Sequence, residues 1–536
     1  MVTAVDAERN SGSAGVGQAS VGSAGAWRRW RTAVAVVLAA LALSWPALVN
    51  GGPFFFPDTR NYIRGADAAI VWATGSRSVW SDRLTVAAPP RKDAVASDRP
   101  AAAAAAAHES RLQPTRSVLA GRSVYYGLFL LAGMGLLGLI GPVVFQALIV
   151  CYVLLLVLRH AAGVEDRRQA RYLVVLSAAL AGLTPTAYYV SLLMPDIFVG
   201  LATVSFLLLA FYWKIMSPAA RVGAAAIAIS GVLFHPSILM LIGCLVLAAM
   251  LFRVLLRKGD WAPLLVGVGV MAVGMAGDGL FNLSISHVLG YPPIRPPFLS
   301  ARLIDDGPGY DELRARCPAS GFELCRYLDR MPHDSDAFLW SDSPSDGVFS
   351  SVPTETKRRL ADEDQTFYLT TLAHRPAAVL QAIVADFGEQ LSLFNLREFN
   401  DPGGDESAFP PPVAASIRQT RASAGTMPTF PVETLALLSC LASLVVIAWW
   451  FAVRAAEGGR GKRRSAGFAA AMVLTVLLNA AIAGGLSKPT GRYQMRIIWI
   501  LPLAAGLILV RRRELGLADA RDGSDLAAND LQGISV

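Results

Sequence analysis

Apolar residues fall in blocks of about 14 to 20, separated by short and mostly basic connections. At about 1.5 Å rise per residue, a helix of that length spans a hydrocarbon layer about 30 Å thick. The pattern predicts an all-α polytopic membrane protein with about ten transmembrane helices and a small outer-face soluble subdomain. The expected spans are Thr32 to Val49, Pro142 to Leu158, Tyr172 to Tyr189, Ile197 to Trp213, Val222 to Phe234, Ile238 to Phe252, Ala262 to Phe281, Val432 to Val453, Ala466 to Ala483 and Ile497 to Val510. One further apolar run, Val124 to Gly141, is cut by Gly133, Gly135 and Gly138 and leads into Pro142. Counting it as a crossing would put the arginine-rich loops outside, so it is expected to dip into the outer leaflet, its backbone covered by protein.

Orientation follows from the basic residues, because short cytoplasmic loops retain Lys and Arg. Arg28, Arg29 and Arg31 precede the first span; Arg159, Arg167, Arg168 and Arg171 follow the second; Arg511, Arg512 and Arg513 follow the last. Both termini are therefore expected in the cytoplasm. The resulting division is a structureless tail at 1–31, a transmembrane domain at 32–281 with an outer first loop at 50–123, an outer soluble segment at 282–431, transmembrane helices at 432–510 and a cytoplasmic tail at 511–536. The first loop carries the alanine run Ala101 to Ala107. In the second outer region, Thr354 to Phe394 has helical patterning. Pro376 is expected to start a helix whose Val379, Leu380, Ile383, Val384 and Phe387 share one face, packed on the membrane domain or lying on the bilayer.

Composition excludes two classes. With 54% hydrophobic and 16% charged residues, a soluble globular enzyme is ruled out. The net charge of +8 does not point to nucleic acid, because the basic residues sit between apolar blocks as topology signals. Of five cysteines, Cys317 and Cys325 alone lie in a polar segment, where the spacing leaves open a disulfide or two thiols.

Ionisable residues are nearly absent from mid-span positions, with Asp278 near a span end. That argues against an ion-coupled transporter, which carries acidic groups near the midplane. The chemistry-bearing groups lie at outer ends of spans instead. Phe54-Phe55-Phe56-Pro57-Asp58 delivers a carboxylate to the interface, readable as a turn residue in water or as a base for a bound hydroxyl. Asp196 follows Pro195 at another outer end, where it could simply cap a helix. The last outer loop, with Lys488, Arg492, Tyr493 and Arg496, opposes the topology rule. Its cations call for an anion, either a phosphate gripped in bidentate fashion or lipid headgroups. His235, between Phe234 and Pro236, either bonds a substrate or satisfies a broken helix.

Taken together, the outer Pro57-Asp58-Thr59-Arg60-Asn61-Tyr62, the later Asp196, the run Gly121-Arg122-Ser123-Val124-Tyr125-Tyr126, the large outer insertion and the final Arg492-Tyr493 resemble the GT-C superfamily of integral-membrane glycosyltransferases. That superfamily includes protein mannosyltransferases and lipid A aminoarabinose transferases. The Ala/Pro-rich insertion has no counterpart there. The resemblance implies transfer of a sugar from a polyprenyl-phosphate donor to a glycan, lipid or protein acceptor on the periplasmic face of a bacterial inner membrane. It makes Asp58 the base, Asp196 a second active-site acid, and Tyr62, His235, Lys488, Arg492, Tyr493 and Arg496 substrate- or phosphate-binding groups. No cofactor is fixed, and a divalent metal stays open because neither aspartate has an adjacent acidic partner. The competing classes are a lipid-linked glycan flippase, which needs a polar path through the bilayer, and a non-catalytic envelope scaffold, which tolerates loss of Asp58.

Overall fold

The computed structural model describes residues 14–81, 119–256, 261–400, 409–455 and 460–533; the alanine run Ala101 to Ala107 lies outside them. The described chain is helical, and its only non-helical pairings are two isolated bridges, Phe54 with Leu192 and Leu119 with Ile294. Seven stretches of described residues are long and apolar enough to cross a membrane, as expected of a multi-pass helical membrane protein.

The first half contains α1 (Ala14–Leu43), α2 (Trp45–Asn50), α3 (Thr59–Thr74), α4 (Val124–Leu137), α5 (Gly141–His160), α6 (Asp166–Leu183), α7 (Thr186–Ser191), α8 (Ile197–Tyr212), α9 (Pro218–Phe234), α10 (Pro236–Leu256) and α11 (Ala262–Leu289). After a group of shorter helices come α18 (Thr429–Ala455), α19 (Arg460–Leu486), α20 (Gly491–Met495) and α21 (Ile500–Gly533). One expectation is corrected: helix α1 begins at Ala14, inside the tail expected to be structureless to residue 31, while α21 continues to Gly533. Alanines scattered through both segments favour helix, and no proline interrupts them.

Helix α8 is the hub: 83% of its apolar window is buried, against 22% for the windows of α10 and α11. It is hydrophobic on every side, as a helix enclosed by others must be. Gly200 admits the Trp499 ring, which a Cβ there would meet at 2.5 Å. Leu247, Leu251, Val254, Leu265, Val268 and Leu283 on α10 and α11 are exposed, which suits a lipid-facing surface.

The bundle has two chemically distinct ends. At one, Arg168 pairs with Glu514 at 3.0 Å, Arg511 donates to Ala161 O at 2.9 Å, and Arg221, Arg253 and Arg512 stack on Trp213, Trp261 and Trp449. At the other lie Asp196, the end of α9 (Phe234 is 4.9 Å from Phe198) and the starts of α5 and α18. Helix α4 begins at this second end, where Tyr126 Oη donates to Gln146 Oε1 at 3.2 Å. By apolarity Val124–His160 is one 37-residue run, but the chain reverses at Gly138, whose φ of +66° favours glycine. A Cβ on Gly141 would fall 2.0 Å from Gly133 O. Helix α4 thus turns back on the start of α5 at the Asp196 end instead of running on into it as one straight helix.

The group of shorter helices comprises α12 (Phe298–Asp305), α13 (Pro308–Arg316), α14 (Ser335–Trp340), α15 (Thr354–His374), α16 (Pro376–Ser392) and α17 (Pro411–Arg418). The α15–α16 break falls at Pro376 as expected. A second hydrophobic core, built on Leu303, Leu313, Phe338, Phe349, Leu360 and Phe367, is separate from that of the bundle. Cys317 and Cys325 form a disulfide beside it, with Cα atoms 5.5 Å apart. Closing so short a loop stabilises by about 2 to 3 kcal/mol. Replacing both cysteines with serine should lower the denaturation midpoint accordingly, and an unchanged midpoint would contradict the bridge.

Candidate functional site

Strand-like contact between two loops brings the first carboxylates together. Phe54 N donates to Ser191 O at 2.9 Å and Leu193 N to Phe54 O at 2.9 Å, while Thr59 Oγ1 donates to Leu193 O at 3.0 Å. The segment ending in Asp58 is thereby stitched to the one that leads into Asp196.

Asp58 stands at the N-terminus of α3 but makes no capping bond. Its Oδ1 instead accepts from Arg122 at 2.7 Å, and both side chains are about a quarter exposed (23% and 24%). Asp196 also makes no capping bond at the start of α8, which corrects the simpler reading of that residue. It is fully buried, and both oxygens are committed: Oδ1 accepts from Arg492 Nε at 3.0 Å and Oδ2 from Arg492 Nη2 at 2.9 Å. Arg496 Nη1 lies 3.4 Å from Oδ1. A carboxylate so bound positions guanidinium groups.

The turn that carries the arginines is braced on several sides. Tyr189 Oη donates to Arg492 O at 3.1 Å, and Gln390 and Thr490 exchange bonds of 2.8 and 3.1 Å. The Arg492 guanidinium lies 4.3 Å from the centroid of Phe56, and Arg496 lies 4.7 Å from that of Tyr493. Arg496, only 2% exposed, reaches Ser237 Oγ and Asn479 Oδ1 only at 3.4 and 3.5 Å, and its Nε has no partner. The buried Arg122 Nε is likewise unpartnered. Arg122 and Arg496 thus keep donors to spare beside Asp58 and Asp196, an arrangement that can take an anion.

The other expected residues divide. Tyr62 is buried, edge-on to Tyr126 at 5.3 Å, and its backbone carbonyl packs against Gly127. His235 joins α9 to α10: Ser237 N donates to its Nδ1 at 3.2 Å, with Ser237 Oγ 2.7 Å from the same nitrogen. Through Ser237 it touches Arg496. Lys488 is held by Asp334 at 2.5 Å and Asp336 at 3.3 Å, both at α14. Burial disfavours its charge, but those carboxylates prevail and hold its pKa above the ordinary lysine value. The far end of α14 reaches the site too, with Trp340 5.7 Å from the Arg122 guanidinium.

Two groups escaped the sequence reading. Arg122 was visible only as part of a resemblance, although an arginine in an outer loop opposes the topology rule. Glu398 gave no signal in its polar segment. It sits on the turn Arg397–Phe399, where burial pushes its carboxyl pKa up against the pull of Arg492, and its buried Oε2 has no hydrogen-bond partner. Among the described residues no group of three or more His, Cys, Asp or Glu side chains is placed to hold a metal ion. No family model matches the chain, and neither a curated protein nor a solved structure matches it.

Proposed function

We propose that the chain is a GT-C-like glycosyltransferase of a bacterial inner membrane, moving a sugar from a polyprenyl-phosphate donor to an acceptor on the periplasmic face. In this reading α1, α5, α6, α8, α9, α10, α11, α18, α19 and α21 make ten crossings. The arginine-rich end is cytoplasmic, which leaves the site and the helices from α12 to α17 outside. The observation that carries the reading is that the Asp58–Arg122 pair and the Asp196–Arg492–Arg496 cluster lie on segments stitched together at Leu193, at the end opposite the basic loops.

The chemistry is economical. A phosphate is already a stabilised leaving anion, so the donor's C1–O(phosphate) bond can break without an acid if cations receive the charge. Arg492 and Arg496 supply them. The acceptor hydroxyl attacks C1 while Asp58 takes its proton, Arg122 holding Oδ1 and leaving Oδ2 for the hydroxyl. Asp196 acts through Arg492 and is a positioning residue, and Lys488 joins the site to α14.

The test is donor binding by Arg492→Lys. Lysine retains the charge opposite Asp196 but not the two-pronged geometry. Losing one hydrogen bond to a charged group costs about 1.5 to 3 kcal/mol, or about 10- to 100-fold. Polyprenyl phosphate binding to the purified, folded variant should weaken by that factor. Unchanged binding would return the basic turn to contact with lipid headgroups.

A further inference from the structure

Where α12 meets α16, one guanidinium serves three carboxylates. Arg302 Nη1 donates to Asp305 at 3.1 Å, and its Nη2 contacts both Asp306 and, at 2.8 Å, Asp386. These four side chains are at most 18% exposed. The Asp386 carbonyl in turn sits against α19, where a Cβ on Gly484 would fall 2.7 Å from it. With every carboxyl ionised, the cluster would hold one positive charge against three negative ones. A buried carboxylate in surplus takes up a proton, because its charged form is neither solvated nor matched.

Among the described residues, the neighbouring elements bring no second cation to the cluster. From α14 comes the Ser335 amide, which donates to Asp305 at 3.2 Å, while Asp334 and Asp336 beside it engage Lys488. On α13, Asp311 and Glu312 face Arg375, and Glu312 also holds His374 and Arg316. On α15, Asp364 accepts from Ser300, and α19 presents Gly484. A proton on Asp306 resolves the imbalance without rearrangement: the carboxyl becomes a donor to Asp386, whose buried Oδ2 has no other partner. Burial, opposed by Arg302 and reinforced by Asp386 and Asp305, pushes the Asp306 pKa from 3.8 up to about 7.

We propose that Asp306 and Asp386 share one proton across the α12–α16 contact, and that its loss in alkaline medium loosens this contact and slackens the arginine turn. The link to the turn runs along α16: one turn beyond Asp386, Gln390 exchanges two hydrogen bonds with Thr490, two residues before Arg492. The folded chain keeps the proton up to about pH 7, whereas an unfolded aspartate releases it near 3.8. Between those values folding takes up a proton, so the contact loses strength as pH rises through that window and stays weak above it. The proposal is independent of sugar transfer.

The experiment compares the full chain in detergent with Asp306→Asn, whose amide is neutral at every pH and can still donate to Asp386. The gap between their denaturation midpoints should widen by several degrees in the variant's favour from about pH 5 to about pH 7, then stay constant. A variant less stable by the same margin at every pH would make Asp306 an ordinary partner of Arg302 and overturn the proposal. Infrared spectra of the unsubstituted chain need no variant: a protonated-carboxyl C=O band should be present at about pH 6 and shrink by about pH 8, and its absence at the lower pH would overturn the shared proton. Hydrogen exchange of the Thr490 amide, corrected for the intrinsic effect of pH, should quicken several-fold over the same range in the unsubstituted chain and not in Asp306→Asn. Equal behaviour of the two chains would overturn the link to the arginine turn.

Discussion

Asp58→Asn is expected to leave the protein folded and donor-bound while slowing sugar transfer by about 10²- to 10⁴-fold, the usual contribution of a positioned general base. Asparagine keeps the size of the side chain and an oxygen for the Arg122 bond now 2.7 Å long. It lacks the basic form that takes the acceptor's proton. The pair is partly exposed and Asp58 makes no capping bond, so little stability rides on its charge, about 0 to 1 kcal/mol for such an ion pair. Single-turnover transfer and donor binding, measured on one preparation, separate the two effects. A fully active Asp58→Asn would remove the residue as base. The search would then move to Glu398, whose Oε2 has no partner, since Asp196 has both oxygens committed to Arg492.

Asp196→Ala should act on stability first. The substitution leaves Arg492 and Arg496, 7% and 2% exposed, side by side without the carboxylate between them. Removing one partner of a buried ion pair costs about 3 to 5 kcal/mol, because the remaining charge is neither solvated nor matched. Denaturation of the detergent-purified variant should show a loss of that size. A loss below about 1 kcal/mol, within the range of exposed pairs, would mean that water or another anion already serves the arginines and that Asp196 does not organise the site.

Much of the architecture was legible because lipid imposes a local rule: a span must be apolar over its own length, as Ile197–Tyr212 and Pro236–Leu256 are. The turn that ends α4 was readable too, from the glycines that let Gly133 meet Gly141. The site was legible only as isolated charges. Asp58, Asp196, Arg492 and Arg496 stood out because a charge beside an apolar block is unusual. Their pairing was not recoverable, since Asp196 and Arg492 are 296 residues apart and meet only through the packing of α8 against the segment that carries Arg492 and Trp499. Glu398 lies in a polar segment, where one more charge carries no signal. Lys488 shows the opposite error: it shares the short basic loop with Arg492, yet Asp334 and Asp336 engage it from α14. The Gly- and Ser-rich start of α1 hid a helix because composition averages over the alanines that support it.

The central claim is that this chain breaks the bond between a sugar and a lipid phosphate. The direct measurement reconstitutes the purified protein in vesicles with a polyprenyl-phosphate sugar and an envelope acceptor fraction, and follows the lipid by mass spectrometry. The account predicts that free polyprenyl phosphate accumulates in step with glycosylated acceptor, and that Asp58→Asn suppresses both. Donor that crosses the vesicle bilayer with its sugar still attached, or stays unchanged in the presence of active-looking folded protein, would contradict it.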